Sequence, residues 1–111
     1  MTLQELNEKL NRIVPCRYKA WKKKPPVPFA VYYEDGSGNF SADGSVYVPF
    51  THMVVELYAD EKDPELEGKL QTFFDEKGIY WEKSPDLYIE SEKLLMVAYS
   101  FTMKGEGHDK K

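Results

Sequence analysis

The chain has 111 residues, of which 41% are hydrophobic, 31% charged and 14% aromatic, and its net charge is −4. That length suits one compact domain, and so aromatic a composition excludes an intrinsically disordered chain, which lacks the residues to build a core. Fifteen basic residues against nineteen acidic ones leave no general positive excess, so binding to nucleic acid would need a local basic patch.

Thr2 and Glu5 stand three apart as in a capping box, where each side chain satisfies a backbone N–H at a helix start. Leu3, Leu6, Leu10 and Ile13 follow at helical spacing and Pro15 closes the pattern. Residues 16–21 alternate, with Cys16, Tyr18 and Ala20 on one side and Arg17, Lys19 and Trp21 on the other, predicting a strand. Lys22, Lys23 and Lys24 before Pro25 and Pro26 predict a turn or short extended segment. Residues 29–33 read as a second strand.

Residues 34–45 contain Asp35-Gly36, Gly38-Asn39 and Asp43-Gly44, dipeptides that tolerate positive φ, and predict a long exposed loop or a hairpin end. Residues 46–59 carry the densest β signal, interrupted at Pro49, which cannot donate to a ladder. Asp63-Pro64 is a strong helix start, and Leu66, Leu70, Phe73 and Phe74 supply an inward stripe before Gly78 ends it. Residues 79–82 and 95–103 read as two further strands, and Leu95, Val97, Tyr99, Phe101 and Met103 share one face of the second. Residues 105–111 read as a disordered polar tail after a single domain spanning residues 1–104. Runs of strands without βαβ alternation predict an α+β domain. Its sheet of four to five strands is mainly antiparallel, with two helices packed on one face and a long projecting loop or hairpin.

The single cysteine, Cys16, excludes an internal disulfide, a CxxC redox pair and a zinc knuckle, and fits a reducing cytosol. Residues 1–13 lack the basic and apolar regions of a secretory signal, and no apolar run approaches the roughly 20 residues that span a bilayer. A soluble protein with no membrane partner is expected.

Catalytic chemistry finds little material. His52 and His108 are the only histidines, and His108 lies in the tail, so no Ser-His-acid triad is credible. Cys16 with His52 is better read as a small core residue and a surface residue. His52 and Glu56 share a strand face but make only two metal ligands. Asp60-Glu61-Lys62 resembles part of a metal-dependent nuclease signature without its upstream acid. The acids from Asp60 to Glu67 suit the positive end of a helix, and Gly36-Ser37-Gly38 lacks the rest of a phosphate loop. Neither a catalytic residue, nor a metal site, nor a cofactor is expected. Lys19, Lys22, Lys23 and Lys24 with Trp21 form the one basic-aromatic patch, read as a solubilising edge or a contact for an acidic partner rather than a specific nucleic-acid site.

Five strings carry a family pattern: Pro28-Phe29-Ala30-Val31-Tyr32, Asn39-Phe40-Ser41-Ala42-Asp43, Val54-Val55-Glu56-Leu57-Tyr58, Lys62-Asp63-Pro64-Glu65 and Glu90-Ser91-Glu92-Lys93. Together they make residues 28–103 resemble the small tail-completion proteins encoded in the head-tail morphogenesis regions of siphophages and prophages of Gram-positive bacteria. The resemblance implies a non-enzymatic tail terminator or head-tail joining subunit. Such a subunit would assemble into a ring, expected to have six copies, against the tail tube protein and the head connector protein. It would reside in the virion, and in the host cytoplasm during assembly. Another neck or minor capsid component, or a small metal-dependent nuclease, are the alternatives. On this reading the interface residues are Phe40, Asp43, Tyr47 and Phe50 of the projecting segment, and Lys22, Lys23 and Lys24.

Overall fold

The computed structural model describes residues 1–37, 40–42, 46–48 and 50–104. Two helices, α1 (Leu3–Asn11) and α2 (Pro64–Glu76), accompany eight strands: β1 (Cys16–Tyr18), β2 (Phe29–Ser37), β3 (Phe40–Ala42), β4 (Val46–Val48), β5 (Phe50–Ala59), β6 (Trp81–Lys83), β7 (Leu87–Ile89) and β8 (Leu94–Lys104). The main sheet runs β1-β2-β5-β8-β6, and β7 pairs with β8 in line with β6. Among the described residues the β1–β2 pairing alone is parallel. The α+β architecture is as predicted; the sheet has six strands instead of four or five because the region after α2 supplies two short segments to one side of β8.

Both helix starts follow from their sequences. Thr2 Oγ1 accepts from the Glu5 N–H at 3.1 Å and Glu5 accepts from the Thr2 N–H at 2.9 Å, which holds the Glu5 carboxyl below its ordinary range. Asp63 accepts from the Leu66 N–H at 3.1 Å with Pro64 in the first turn, and Gly78, at φ 69°, takes the left-handed position just beyond α2. The apolar stripes of the two helices meet on one face of the sheet. Leu6, Leu10, Leu66, Leu70, Phe73 and Phe74 form a single core with Ala30 and Tyr32 of β2, Met53, Val55 and Leu57 of β5, and Val97, Tyr99, Phe101 and Met103 of β8. Leu95 is only half-buried, so four of the five predicted inward residues of β8 reach the core. Asn11 closes the junction between α1 and β1: its side chain accepts from the Cys16 N–H at 2.9 Å and donates to the Cys16 carbonyl at 3.0 Å.

Two regions differ from the sequence expectation. The strand predicted over residues 16–21 stops at Tyr18, because Lys19 turns to φ 71° and the chain leaves the sheet edge to cross the face opposite the helices. This crossing segment, residues 19–28, is anchored by Trp21, whose indole N–H donates to the Ala30 carbonyl at 3.0 Å while its ring meets Phe29 edge-on. Residues 79–82 give way to Trp81–Lys83, and β7 adds a third strand after α2.

Over residues 34–45 the structure takes the hairpin alternative of the two expected there. β2 continues to Ser37 through a bulge at Asp35-Gly36, where Gly36 has φ 90°. Past the bulge Ser37 faces Thr51, and Phe40, Ser41 and Ala42 face Val48, Tyr47 and Val46 in unchanged register. β3 and β4 form a separate two-stranded antiparallel sheet, and its register continues that of β2 with β5. The molecule measures 50 × 28 × 24 Å with a radius of gyration of 15.5 Å, against about 13 Å for a compact chain of this length.

Candidate functional site

The predicted interface residues fall into two groups at opposite ends of the long strands. Phe40 and Tyr47 sit at register positions opposite Val48 and Ser41 on the hairpin, and Asp43 lies outside the described residues. Phe50 opens β5, half-buried, opposite Lys104. Lys22, Lys23 and Lys24 are exposed on the crossing segment, next to the end of the sheet where Phe29 pairs with Tyr58. β5 alone, ten residues long, separates these ends by about 30 Å. The protein thus presents two distinct patches rather than one.

The helices leave the other sheet face free to bear side chains outward. Its residues are Phe29, Val31 and Tyr33 on β2, His52, Val54, Glu56 and Tyr58 on β5, and Met96, Ala98, Ser100 and Thr102 on β8. The crossing segment roofs one end, burying Phe29 and Leu94, and leaves a cleft of about 340 Å³ between roof and sheet. At the cleft Glu56 accepts a hydrogen bond at each carboxylate oxygen, from the Tyr58 hydroxyl at 2.6 Å and the Tyr33 hydroxyl at 2.7 Å. Burial, and then the bond to Glu56, push the Tyr33 phenol up to about 12 and the Tyr58 phenol further still. Both phenols are donors near neutral pH. The Phe29 and Tyr58 rings stack at 5.1 Å and 17° beside this carboxylate. Cations already rest on rings nearby: Arg17 lies 4.9 Å over Trp21 and Lys19 lies 5.3 Å over Tyr33.

The structure does not join His52 and Glu56, the pair that shares a strand face in the sequence. His52 shares a 3.0 Å hydrogen bond with Thr102 Oγ1, and Glu56 is engaged by the two phenols. The signal that was available is the i, i+2 spacing of Glu56 and Tyr58, which places both on one strand face. Tyr33 joins them only through the pairing of β2 with β5.

Cys16 and His52 are on opposite sides of the sheet: Cys16 is buried against the helices, and its thiol is pushed up to about 12, chiefly by burial. A thiol so protonated is inert. Native protein at pH 8 is expected to leave Cys16 unmodified by iodoacetamide over a time that labels it fully in guanidinium; mass spectrometry reads the difference, and equal labelling would contradict the burial. Lys62, the basic residue of Asp60-Glu61-Lys62, is engaged structurally. It reaches Glu67 at 3.0 Å and Asp86 at 2.9 Å, bonds that hold its ammonium pKa above the ordinary range. Glu67, a buried carboxylate on α2, also takes Lys83 at 2.7 Å. This network ties α2 to the β6–β7 segment. Among the described residues no group of three or more His, Cys, Asp or Glu side chains is arranged to hold a metal ion, and no helix is long and apolar enough to cross a membrane. His108 lies outside the described residues.

No protein-family model and no curated protein matches the sequence.

Proposed function

We propose that the protein is a phage virion-assembly subunit of the tail-completion type, a tail terminator or head-tail joining protein. It self-associates into a ring, of six copies on the family pattern, at the head-proximal end of the tail, between the tail tube protein and the head connector protein. It belongs to the virion and, before assembly, to the host cytoplasm. The strings quoted above suggest this role, and one structural observation supports it best. The hairpin carries Phe40, Tyr47 and Phe50 beyond the last core residues, Met53 and Met103. A paired ribbon that bears aromatic residues past those core positions offers a neighbouring subunit a surface to clasp. The second patch, Lys22–Lys24 at the other end of the sheet, suits the head-to-tail contacts of a ring, in which unlike surfaces meet.

Electron microscopy of lysates from an induced prophage lacking this gene tests the reading. Overlong or headless tails beside filled heads are expected for a terminator. Free tails of normal length would shift the role to another neck or minor capsid component, and intact virions would remove the protein from assembly altogether.

A further inference from the structure

The roofed cleft carries an inference that does not depend on the assembly role. Its floor holds a carboxylate that is presented rather than neutralised. Among the described residues no lysine, arginine or histidine nitrogen lies within 4.0 Å of Glu56. The two charges at the rim, Lys24 and Glu92, are 3.1 Å apart and satisfy each other. Lys19 rests on the Tyr33 ring.

Each oxygen of an ionised carboxylate has two acceptor positions, and here the phenols of Tyr58 and Tyr33 fill one on each oxygen. One position per oxygen stays open. That pair matches the two parallel N–H groups of a guanidinium fork, whereas an ammonium is a point charge with no such match. The stacked rings of Phe29 and Tyr58, with Trp21 edge-on to Phe29, supply the flat apolar wall on which a guanidinium and its methylene stem rest. The cleft, at about 340 Å³, is small for a cofactor and adequate for one long side chain.

We propose that the cleft between the crossing segment and the open sheet face is a docking site for an arginine side chain of a protein partner, held by Glu56 between Tyr33 and Tyr58. Charge complementarity selects the occupant, and the two phenol bonds fix the carboxylate's orientation before it arrives. Lys19, which also lines the cleft, carries the same charge as the arginine and limits the affinity.

The test is a titration of the ¹⁵N-labelled full chain with N-acetyl-arginine amide, N-acetyl-lysine amide and N-acetyl-norleucine amide, following the amides of Val31, Glu56 and Ala98, which lie side by side across β2, β5 and β8. Saturable shifts at these amides are expected with the arginine probe, weaker ones with lysine and none with norleucine. Glu56→Gln is expected to weaken the arginine probe about tenfold, the loss of a charged acceptor. Lys19→Ala is expected to tighten it about twofold through removal of like charge. The idea fails if the wild-type amides do not shift, if norleucine binds as well as arginine, or if folded Glu56→Gln binds within twofold of wild type. Should that variant not fold, the preference among the three probes on the wild-type chain decides alone.

Discussion

Phe74→Ala is expected to lower the melting temperature by roughly 12–25 °C. Phe74 is fully buried where α2 lies on the sheet, its ring 4.8 Å from Phe101, 5.7 Å from Tyr99 and 5.5 Å from Phe73. Tyr99 is itself fully buried and fixed by its hydroxyl, which donates to Gln71 Oε1 at 3.0 Å. Neither side can move in to fill the space, because Tyr99 and Phe101 are on the long central ladder between β5 and β8. The substitution therefore costs both the transfer free energy of the ring and a cavity, about 3–5 kcal/mol, out of the roughly 5–15 kcal/mol that hold a domain of this size folded. Tyr80→Ala is the matched control. Tyr80 is 80% exposed, so its removal should change stability by no more than about 0.5 kcal/mol. Thermal denaturation followed by circular dichroism separates the two, and similar shifts for both would mean that α2 does not seal the core through this ring.

The same element shows which parts of the fold are legible locally. α2 declares its start, stripe and stop within sixteen consecutive residues, Asp63 to Gly78, and each signal acts on backbone groups or on one face of that helix alone. α1 does likewise. The short strands do not: β6 and β7 have three residues each, separated by Ser84-Pro85-Asp86, too few to show an alternation. Their position is set by pairing with β8, and Ser84 fixes the join by accepting from the Ala98 N–H with its hydroxyl at 2.9 Å while its own N–H donates to the Ala98 carbonyl at 2.8 Å. The parallel pairing of β1 with β2 sends residues 19–28 across the open face for the same non-local reason. Lys19 and Trp21, which share a side of the predicted strand with Arg17, thus line a cleft, while Arg17 stays on β1. Glu56 and Tyr58 were visible as neighbours on a strand face; the third member, Tyr33, depends on a register that no local pattern encodes.

The hairpin lies between these cases, since its turn dipeptides and β-rich flank are both readable but point to a loop as readily as to a ribbon. The register is the same at Ser37–Thr51 and from Phe40–Val48 to Ala42–Val46, as expected of a ribbon, and this sharpens the test of what it does. Removing one strand alone would leave the other without a partner, with unpaired backbone groups exposed at a new edge. Replacing residues 38–49 by Asn-Gly instead closes β2 onto β5 with a three-residue connection between Ser37 and Thr51, a length common in hairpins. The core side chains of β2 and β5, Ala30, Tyr32, Met53, Val55 and Leu57, all stay in place, so the melting temperature should stay within a few degrees of wild type, as for other shortened surface connections (about 1 kcal/mol). In a prophage, the same replacement should reduce infectious titre to that of the gene deletion and reproduce its defective particles. Because the shortened protein still folds, such a loss belongs to the missing surface carrying Phe40, Asp43 and Tyr47. Wild-type titre would show that assembly does not pass through the arm. Lys22→Ala/Lys23→Ala then becomes the informative variant, for those two lysines make no ion pair among the described residues and their loss leaves the fold untouched.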